Sequence, residues 1–375
     1  MTMRKILVTG GAGFVGSHLV DSLVERGHVV RVLDNLDPQV HGSTGRPGGH
    51  VSPEAEFVLG DIRDTEVVSR AVKGMEVVFH LAAAVGVGQS MYRIRDYMEV
   101  NTLGAANLLQ ALVGAPSRVE KVVVASSMSI YGEGAYRCAT CGPVFPPLRP
   151  REQLRARHWE MRCPGCGAEV VALPTPENKP LAPTSIYAIS KRDHEEMFMC
   201  CGKAYGIPTV ALRYFNIYGP RQSLSNPYTG CAAIFSSRLL NGNSPLVFED
   251  GQQTRDFIHV SDVVAANLLA LEWGEDGAHV FNVGTGRPLS VLELVNVLRE
   301  ELGRGPSERV LNKFREGDIR HCYADTSRIH AILGFTPRVT MEEGVEDLVA
   351  WVREQDAVDM VDRATRELEE KGLTL

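Results

Sequence analysis

Three residues in the middle of the chain have the side chains needed to remove a proton from an alcohol. Tyr187 and Lys191 are four positions apart in a segment with helical periodicity, so their side chains share one face. Ser127 ends an apolar run and could present a hydroxyl beside the phenol. An unperturbed phenol titrates near pH ~10, so it is a useful base at neutral pH only when positive charge lowers its pKa. Lys191 would supply such charge, which makes Tyr187 the candidate general base and acid.

A second set of residues, near the N terminus, has the spacing of a phosphate-binding turn. The apolar run Lys5–Thr9 leads directly into Gly10, Gly13 and Gly16 and then into a helical segment. Such a turn is too tight for side chains, and its bare N–H groups at a helix N terminus can approach a pyrophosphate. Asp34 ends the next apolar run, where a carboxylate accepts hydrogen bonds from an adenine ribose. That carboxylate would repel a 2′-phosphate, so the pattern predicts NAD rather than NADP.

These groups need a scaffold that brings distant segments to one edge, and the first part of the chain predicts one. Short apolar strands alternate with helical segments, which is typical of βαβ units in a parallel sheet. Near-continuous apolar strands indicate a sheet that is buried on both faces. The predicted strands are Lys5–Thr9, Val29–Leu33, Glu56–Leu59, Val77–Leu81, Lys121–Ala125 and Thr209–Arg213. The predicted helices are Phe14–Arg26, Asp96–Leu112, Ile186–Tyr205, Val263–Glu272 and Val291–Leu302. The predicted class is α/β, a doubly wound parallel sheet of the Rossmann type.

The same pattern divides the chain into parts. Residues 1–135 and 173–215 are predicted to form the NAD-binding Rossmann domain, and 136–172 an inserted module. Residues 216–375 are predicted to form mainly a smaller substrate-binding lobe, with the chain returning to the Rossmann domain around 255–290. Two further segments carry expectations of their own. Residues 37–54 are expected to be a mobile loop, either a cofactor lid or ordinary surface, and the charged tail Asp362–Leu375 a solvated helix.

The overall composition excludes several classes of function. The 375 residues carry a net charge of -7 without a basic block, which disfavours nucleic acid and acidic lipid as partners. No apolar stretch approaches the ~20 residues needed to cross a bilayer, so no membrane span is predicted. Arg4-Lys5 and the apolar residues after them lack the length and cleavage site of a secretory signal. We therefore expect a cytoplasmic protein whose thiols stay reduced.

The order of the motifs resembles the extended short-chain dehydrogenase/reductase family, whose members include NAD-dependent nucleotide-sugar epimerases and dehydratases. The resemblance covers nearly the whole chain. Beyond the glycine turn, Ser126-Ser127 and the Tyr187/Lys191 pair, the matching segments are Asp61-Ile62, Val100-Asn101, Arg213–Arg221, Arg255–Val260, Phe281–Gly284 and Arg315–Asp318. The resemblance implies an enzyme that acts on a nucleotide-linked sugar.

The motifs and the resemblance together supply the candidate site residues. The catalytic set is Ser127, Tyr187 and Lys191. The cofactor set adds to Tyr187 and Lys191 the residues Gly10, Gly13, Phe14, Val15, Gly16, Asp34, Asn35, Asp61, Ile62, Leu81, Ala82, Ala83 and Asn101. The substrate set is Ser127, Met128, Ser129, Asn216, Arg255, Arg315 and Asp318. The resemblance implies that Asn216 contacts the substrate diphosphate, and that the two arginines and Asp318 hold the diphosphate and the nucleoside ribose, as guanidinium and carboxylate chemistry would suit.

The residues after Ser127 help to choose the reaction. Family members that eliminate water have an Asp-Glu pair there, whereas this chain has Met128 and Ser129. Reversible oxidation at C4 is the simplest remaining chemistry: NAD takes and returns the hydride while a transient 4-keto sugar turns over. That reaction is a 4-epimerisation.

A finer resemblance concerns the substrate. An insert with cysteines, together with Thr184–Tyr187 and Ser225–Gly230, is similar to the dTDP-L-rhamnose 4-epimerases, which interconvert dTDP-L-rhamnose and dTDP-6-deoxy-L-talose. Four other interpretations stay open: a UDP-glucose 4-epimerase-type enzyme, a nucleotide-sugar decarboxylase, a reductase, and a non-catalytic NAD-binding redox sensor. The family resemblance also suggests a homodimer built from the helices around Asp96–Leu112 and Ile186–Tyr205.

The inserted module carries four of the eight cysteines in a metal-binding pattern. Cys138 and Cys141 form one C-x-x-C pair, and Cys163 and Cys166 form a second pair after 21 intervening residues. This spacing is typical of a zinc ribbon. Four thiolates complete a tetrahedral site and leave no position for water, so we predict a structural zinc ion. The module lies between Ser127 and Tyr187 in the chain, so we expect it near the sugar pocket, where it would shape substrate access or a dimer surface.

Overall fold

The computed structural model describes residues 2–42, 51–114, 119–303, 305–355 and 357–374. These residues form sixteen strands. In chain order they are β1 (Lys5–Thr9), β2 (Val29–Asp34), β3 (Glu56–Leu59), β4 (Val77–His80), β5 (Lys121–Ser127), β6 (Ala135–Cys138), β7 (Gly142–Val144), β8 (Val171–Leu173), β9 (Thr209–Tyr214), β10 (Asn216–Tyr218), β11 (Leu246–Val247), β12 (Thr254–His259), β13 (Ala278–Val283), β14 (Pro288–Ser290), β15 (Arg309–Val310) and β16 (His321–Cys322).

The described residues also form fourteen α-helices. They are α1 (Phe14–Glu25), α2 (Pro38–His41), α3 (Thr65–Val72), α4 (Val87–Ser90), α5 (Ile94–Tyr97), α6 (Gly104–Gly114), α7 (Arg151–Arg155), α8 (Ile186–Tyr205), α9 (Cys231–Leu240), α10 (Val260–Glu272), α11 (Val291–Glu301), α12 (Ser327–Leu333), α13 (Met341–Val352) and α14 (Val361–Glu370). A π-helical segment, Met98–Leu103, joins α5 to α6, so the helix predicted over Asp96–Leu112 contains an unpredicted wide turn.

The main sheet has seven parallel strands in the order β3-β2-β1-β4-β5-β9-β13. The prediction of a doubly wound parallel sheet is therefore confirmed. The strand order reverses between β1 and β4, because β2 and β3 lie to one side and β5, β9 and β13 to the other. Sheets of this kind bind ligands outside the carboxyl ends of the strands at such a reversal.

Strand residues alternate between two buried apolar layers, as the period of two along a strand requires. Ile6 and Val8 of β1 point into one layer with α1, α10 and α12. Leu7 points into the other layer with α3, α6 and α8. Both faces of the sheet are thus covered by helices, which explains why its strands read as continuous apolar runs.

A smaller lobe packs around a third apolar cluster. Helices α9, α11 and α13 supply most of its buried side chains, including Phe235, Leu294 and Leu348. A small mixed sheet of β10, β12, β14 and β16 connects this lobe to the Rossmann layers. The chain between 260 and 283 belongs to the Rossmann layers, since α10 packs against α1 and β13 forms an edge of the main sheet.

The segment between Ser127 and Tyr187 contains a three-stranded antiparallel sheet with β6 between β7 and β8. Its own apolar cluster is small and consists of the buried residues Tyr136, Cys138, Met161, Cys163 and Val170. A core of this size is weak support for an independent fold.

The expectations for the C-terminal tail and for residues 37–54 are each met only in part. The charged tail does form a helix, α14, but it is not simply solvated, because Ala364 and Leu368 are buried. In the predicted loop 37–54, residues 38–41 form α2, and residues 43–50 lie outside the described part of the chain. Within the described residues no helix is long and apolar enough to cross a membrane.

Candidate active site

A cleft of about 770 Å³ lies at the carboxyl edge of the main sheet, between the sheet and the smaller lobe. Every predicted catalytic, cofactor and substrate residue lines this cleft except Asn101. Asn101 is fully buried behind the wall. Its amide accepts from Ala84 N at 2.8 Å and donates to Ala84 O at 3.0 Å and Ser190 Oγ at 2.9 Å. Asn101 therefore does not line the cleft itself, and its two hydrogen bonds with Ala84 hold the loop after β4 in place.

The glycine turn after β1 leaves no room for side chains. Gly10 has a φ of +71°, and a Cβ there would lie 2.7 Å from Ala82 N. A Cβ on Gly16 would overlap the carbonyl oxygen of Gly10. Helix α1 begins at Phe14 without a side-chain cap on its first N–H groups. Uncapped N–H groups at a helix N terminus suit phosphate oxygens, so the turn fits the pyrophosphate of a dinucleotide.

Two carboxylates line the cleft beyond this turn. Asp34, at the end of β2, accepts from Ala12 N at 3.1 Å and Leu36 N at 2.9 Å, which holds the carboxylate at the strand end. Asp61 follows β3 and accepts from Asn35 Nδ2 at 2.9 Å. The hydrogen bond from Arg63 lowers the pKa of Asp61 to about 2. Both positions suit hydrogen-bond donors on an adenosine, as the sequence predicts.

The proposed catalytic hydroxyls lie together in the cleft. Ser127 ends β5 and accepts from Ser129 Oγ at 2.9 Å, while Tyr187 stands in the first turn of α8. Burial raises the pKa of the Tyr187 phenol, and its hydrogen bond with Ser127 opposes that shift. The expected lowering of this pKa by Lys191 is not seen: burial is the main cause of the shift, and the hydrogen bond with Ser127 is the opposing one.

Lys191 has neighbours that the sequence did not suggest. Its Nζ donates to Ala125 O and lies 3.3 Å from His194 Nδ1. His194 lies against His80, with ring centroids 4.5 Å apart, and both rings are fully buried. Burial lowers the pKa of Lys191 to about 7, and the charge of Glu195 opposes the shift. The lysine is thus held in surroundings that favour proton exchange near neutral pH.

A buried ion pair behind the cleft was also missed. Glu195 accepts from Arg213 at 2.6 and 2.9 Å and from Ser126 Oγ at 2.6 Å. The available signal was spacing, since Tyr187, Lys191 and Glu195 recur every four residues along α8 and so share a face. The pair links α8 to the neighbouring strands β5 and β9.

The opposite end of the cleft carries positive charge. Arg255 donates to Thr254 O, Arg320 O and Ile319 O at 2.7 to 3.0 Å. Arg315 pairs with Asp318 at 2.8 Å, and its guanidinium lies 4.5 Å from the centre of the Phe248 ring. Among the cleft-lining residues that the structure describes, Arg255 is the one guanidinium without a carboxylate partner. These groups are suited to a phosphorylated ligand.

The smaller lobe adds a further polar feature, the side chain of Asn216, at the start of β10. Its Oδ1 is buried and has no hydrogen-bond partner among the described residues. Buried polar atoms are usually paired, so an unpaired atom on a cleft wall is suited to a ligand donor.

The C-terminal segment also closes part of the cleft, which the sequence did not indicate. Residues Val361, Ala364, Thr365, Leu368 and Leu373 line the cavity. Glu367 accepts from Tyr92 at 2.9 Å and from Tyr228 at 2.8 Å, and the two phenols lie 2.6 Å apart. These contacts join α14 to the Rossmann side of the cleft.

Outside the cleft, the four cysteines of the insert converge. The sulfur atoms of Cys138, Cys141, Cys163 and Cys166 all lie within 4.8 Å of one another. Cys138 Sγ and Cys166 Sγ are 3.5 Å apart, close to the ~3.8 Å expected for tetrahedral Zn–S bonds of ~2.3 Å. Backbone N–H groups of Cys141 and Thr140 lower the pKa of Cys138 to about 6, whereas neighbouring thiols raise the pKa of Cys141 to about 12. Close thiolates repel each other, so the cluster fits a bound cation.

A glycine turn at a helix N terminus, a carboxylate fixed at the end of β2 and a Ser-Tyr-Lys group line one cleft. This combination is typical of the dinucleotide-dependent short-chain dehydrogenase class. The particular family follows from comparison with known proteins. The chain belongs to the NAD dependent epimerase/dehydratase family, whose model matches residues 6–152 and 166–284. The break in the match falls inside the insert.

Similar proteins differ in the substrate that they are named for. The chain is 35% identical to a dTDP-L-rhamnose 4-epimerase of Burkholderia thailandensis, over 94% of this chain and 96% of that protein. It is 34% identical in sequence to a Thermotoga maritima UDP-glucose 4-epimerase, whose crystal structure was determined with UDP-glucose. The TM-score is 0.74, and the match covers 93% of this chain and 99% of that chain. A Thermus thermophilus UDP-glucose 4-epimerase in complex with NAD is 32% identical, with a TM-score of 0.73 and coverage of 94% and 100%.

The turn geometry predicts the effect of one methyl group. Gly16→Ala should abolish NAD binding, because the added Cβ overlaps Gly10 O and must displace the turn that would hold the pyrophosphate. NAD retained by the purified protein, released by denaturation and quantified, measures the effect. Gly274→Ala is the control, since a Cβ at Gly274 meets nothing within 4 Å. Retention of NAD by Gly16→Ala at the wild-type level would contradict the assignment of this turn.

Proposed function

We propose that this protein is an NAD-dependent nucleotide-sugar 4-epimerase. The observation that carries the proposal is the order of groups along one cleft. The glycine turn follows β1, Ser127 ends β5 two strands along the sheet, and Arg255 stands on β12, which pairs with β10 directly after β9 in the chain. Tyr187 and Arg315 line the same cleft. This order suits a dinucleotide and a diphosphate-linked substrate that meet at the phenol.

In the proposed reaction, Tyr187 takes the proton of the substrate C4 hydroxyl and later returns it. Ser127 hydrogen-bonds the same oxygen and so holds C4 in one orientation. Lys191, buried beneath these groups, supplies positive charge and can exchange a proton. When bound, NAD supplies the hydride acceptor and the positive nicotinamide ring that favours the phenolate. Inversion follows when the ketone presents its other face to the returning hydride.

The cleft favours epimerisation over the related reactions. Water elimination would need a second acid and base beside Ser127, where Met128 and Ser129 stand instead. Decarboxylation would call for an extra cation toward a sugar carboxylate. Three of the four cleft-lining arginines that the structure describes are already paired with carboxylates, and the fourth, Arg255, is assigned to the diphosphate together with Arg315, so no further arginine of the cleft wall is left for a sugar carboxylate. A reductase that releases NADP conflicts with Asp34, and a mere sensor has no need of the Ser-Tyr-Lys group.

Within this class we propose dTDP-L-rhamnose and dTDP-6-deoxy-L-talose as the substrate pair. Support comes from the similarity to the Burkholderia thailandensis enzyme and from the Ser225–Gly230 segment, which lies largely on the cleft wall. UDP-glucose and UDP-galactose are the second candidate pair, because two relatives named for UDP-glucose are 34% and 32% identical to this chain, close to the 35% of the Burkholderia thailandensis protein.

Incubation of the purified protein with dTDP-L-rhamnose, and separately with UDP-glucose, tests the proposal. We expect inversion at C4 in one of the two, observed by proton NMR of the sugar, without net consumption of NAD. Tyr187→Phe should lower kcat by about 10²-fold or more, because it removes the proton acceptor, while bound NAD stays at the wild-type level.

Three results would point elsewhere. Net loss of reduced cofactor would indicate a reductase, and NAD binding without turnover of any nucleotide sugar would favour the sensor. Release of carbon dioxide from a nucleotide-linked uronic acid would favour a decarboxylase.

We also propose that the four cysteines of the insert hold a structural zinc ion. The support is the mutual approach of the four sulfur atoms and the small apolar cluster around them. Small modules of this kind commonly depend on metal for folding, since metal binding supplies the free energy that the core lacks. The proposed role is structural, because four thiolates leave no open coordination position.

Metal analysis of the purified protein should give about one zinc per chain. Cys141→Ser and Cys166→Ser should each lower the zinc content, since each variant removes one of four ligands, and Cys200→Ser, an exposed cysteine outside the cluster, should not. An equal zinc content in all four proteins would contradict the proposed site.

We further propose the homodimer that the family resemblance suggests, formed by α8 and the helical segment 94–114. Large apolar side chains are exposed on both elements, with Leu103 50% exposed and Ile189 39% exposed. Such side chains on adjacent helices are suited to a second copy of the chain.

Light scattering on the purified chain should give the mass of a dimer, and the double variant Leu103→Glu/Ile189→Glu should give that of a monomer, because buried unpaired carboxylates oppose association. Val171→Glu is the matched control, since Val171 is 72% exposed on the insert. A wild-type monomer, or a double variant that stays dimeric, would contradict the proposed surface.

A further inference from the structure

The inserted module does not line the cleft. None of the described residues between 136 and 172 contributes to the cleft wall. The expected position beside the sugar pocket therefore needs correction. The module packs on the outer side of the segment 314–321, whose inner side carries Arg315 and Asp318. Several of its contacts with that segment are charged. The guanidinium groups of Arg149 and Arg320 are buried, whereas the Glu160 side chain is half exposed. Buried guanidinium groups are an unusual way to attach a surface module.

Arg149 makes the first of these contacts. Its side chain is 1% exposed and donates to both carboxylate oxygens of Glu249, at 2.8 and 2.9 Å. The same guanidinium donates to Trp159 O within the module at 2.9 Å and to Asp318 O at 3.4 Å. One planar group thus joins the module to two residues that line the cleft, Glu249 and Asp318.

Glu160 makes the second contact. Its carboxylate accepts from the guanidinium of Arg320 at 2.5 and 3.1 Å and lies 3.2 Å from His321 Nε2. Arg320 is fully buried and also pairs with Glu249 and Asp250. A guanidinium that is removed from water needs such partners, so loss of one carboxylate should shift the residue that carries it.

The backbone of the same segment holds the guanidinium group of Arg255, the cleft arginine that has no carboxylate partner among the described residues. Arg255 donates to the carbonyl oxygens of Arg320 and Ile319 at 3.0 and 2.7 Å. Glu160 therefore pairs with the guanidinium group of Arg320, whereas Arg255 is held by the backbone carbonyl oxygen of Arg320. Phe314, directly before Arg315, packs with Trp159 and Leu154 of the module.

We propose that Glu160 and Arg149, through the cysteine module, are positioning residues for the diphosphate end of the cleft, so that the module sets the affinity for the substrate nucleoside diphosphate. The inference rests on the proposed function, because it takes Arg255, Arg315 and Asp318 as the groups that bind the substrate. Tyr187 and the NAD turn lie on other elements, although Thr184, just before α8, donates to Gly317 O at 2.9 Å. We therefore expect the effect mainly in the affinity for the diphosphate and little in kcat.

Calorimetric titration of the full-length, NAD-loaded protein with UDP and with dTDP, together with KM and kcat for the nucleotide sugar, tests the inference. Glu160→Gln should weaken binding of the nucleoside diphosphate and raise KM by about five- to tenfold, with kcat within about twofold of wild type. NAD content should not change. Glu160→Asp, which keeps the charge, should recover part of the affinity.

A second variant and a control separate positioning from general damage. Arg151 pairs with Glu316 at 2.7 Å across the same boundary and is 58% exposed, so Arg151→Gln should fold and raise KM in the same direction by a smaller factor. Glu152→Gln, an exposed carboxylate on α7 without an ion pair among the described residues, should leave Kd and KM unchanged. Removal of zinc by a chelator should raise Kd as Glu160→Gln does.

Three outcomes would overturn the inference. The first is unchanged Kd and KM in both Glu160→Gln and the zinc-depleted protein. The second is a parallel fall of NAD content, kcat and thermal midpoint in Glu160→Gln, which would show a general loss of folding. The third is a wild-type protein that binds neither nucleoside diphosphate, which would overturn the proposed function as well.

Discussion

The buried ion pair between Glu195 and Arg213 is the interaction on which the proposed active site depends. Glu195 belongs to the helix that carries Tyr187 and Lys191, Arg213 belongs to β9, and Ser126 on β5 donates to the same carboxylate. The three elements are therefore held at one spacing, which sets the distance between the phenol and the hydroxyl of Ser127. Removing one partner of such a pair typically costs about 3–5 kcal/mol, since the other charge stays buried. The geometry of the proposed site is thus supported by a buried ion pair of the core.

The cleft itself carries groups that are costly to bury. Lys191, His80 and His194 lie behind the hydroxyls proposed to be catalytic, and burial lowers the pKa of all three side chains. The Nε2 atoms of both histidines have no hydrogen-bond partner among the described residues. A fold tolerates this arrangement only because the two apolar layers around the sheet supply its stability elsewhere. Neutral imidazoles beside a lysine near its titration point are suited to proton exchange at neutral pH.

The insert shows how a small module can influence a site that it does not enter. Its apolar cluster is too small to support it alone, so the proposed zinc ion and the charged boundary to the segment 314–321 must hold it together and in place. The boundary uses the guanidinium groups of Arg149 and Arg320 in addition to the small apolar cluster of Leu154, Trp159 and Phe314. Such planar, directional contacts fix a register between two segments more tightly than apolar packing does.

Much of the fold and part of the candidate site were predictable from the sequence. The strands, the glycine turn and the shared face of Tyr187 and Lys191 depend on spacing along the chain, so local pattern was sufficient for them. Most strand and helix ends agree within one or two residues, and Ile186–Tyr205 matches at both ends. The parallel sheet then follows from the alternation of strand and helix.

Other features were decided only by the tertiary structure. Asn101 supports the loop after β4 from behind, α14 covers part of the cleft through Glu367, and Arg149 reaches Glu249 across 100 positions of sequence. No local period links such residues, because their contacts exist only after the layers and lobes have packed. Burial likewise decided the direction in which the pKa values of Tyr187 and Lys191 shift, since the cost of desolvating a charge depends on everything that surrounds it.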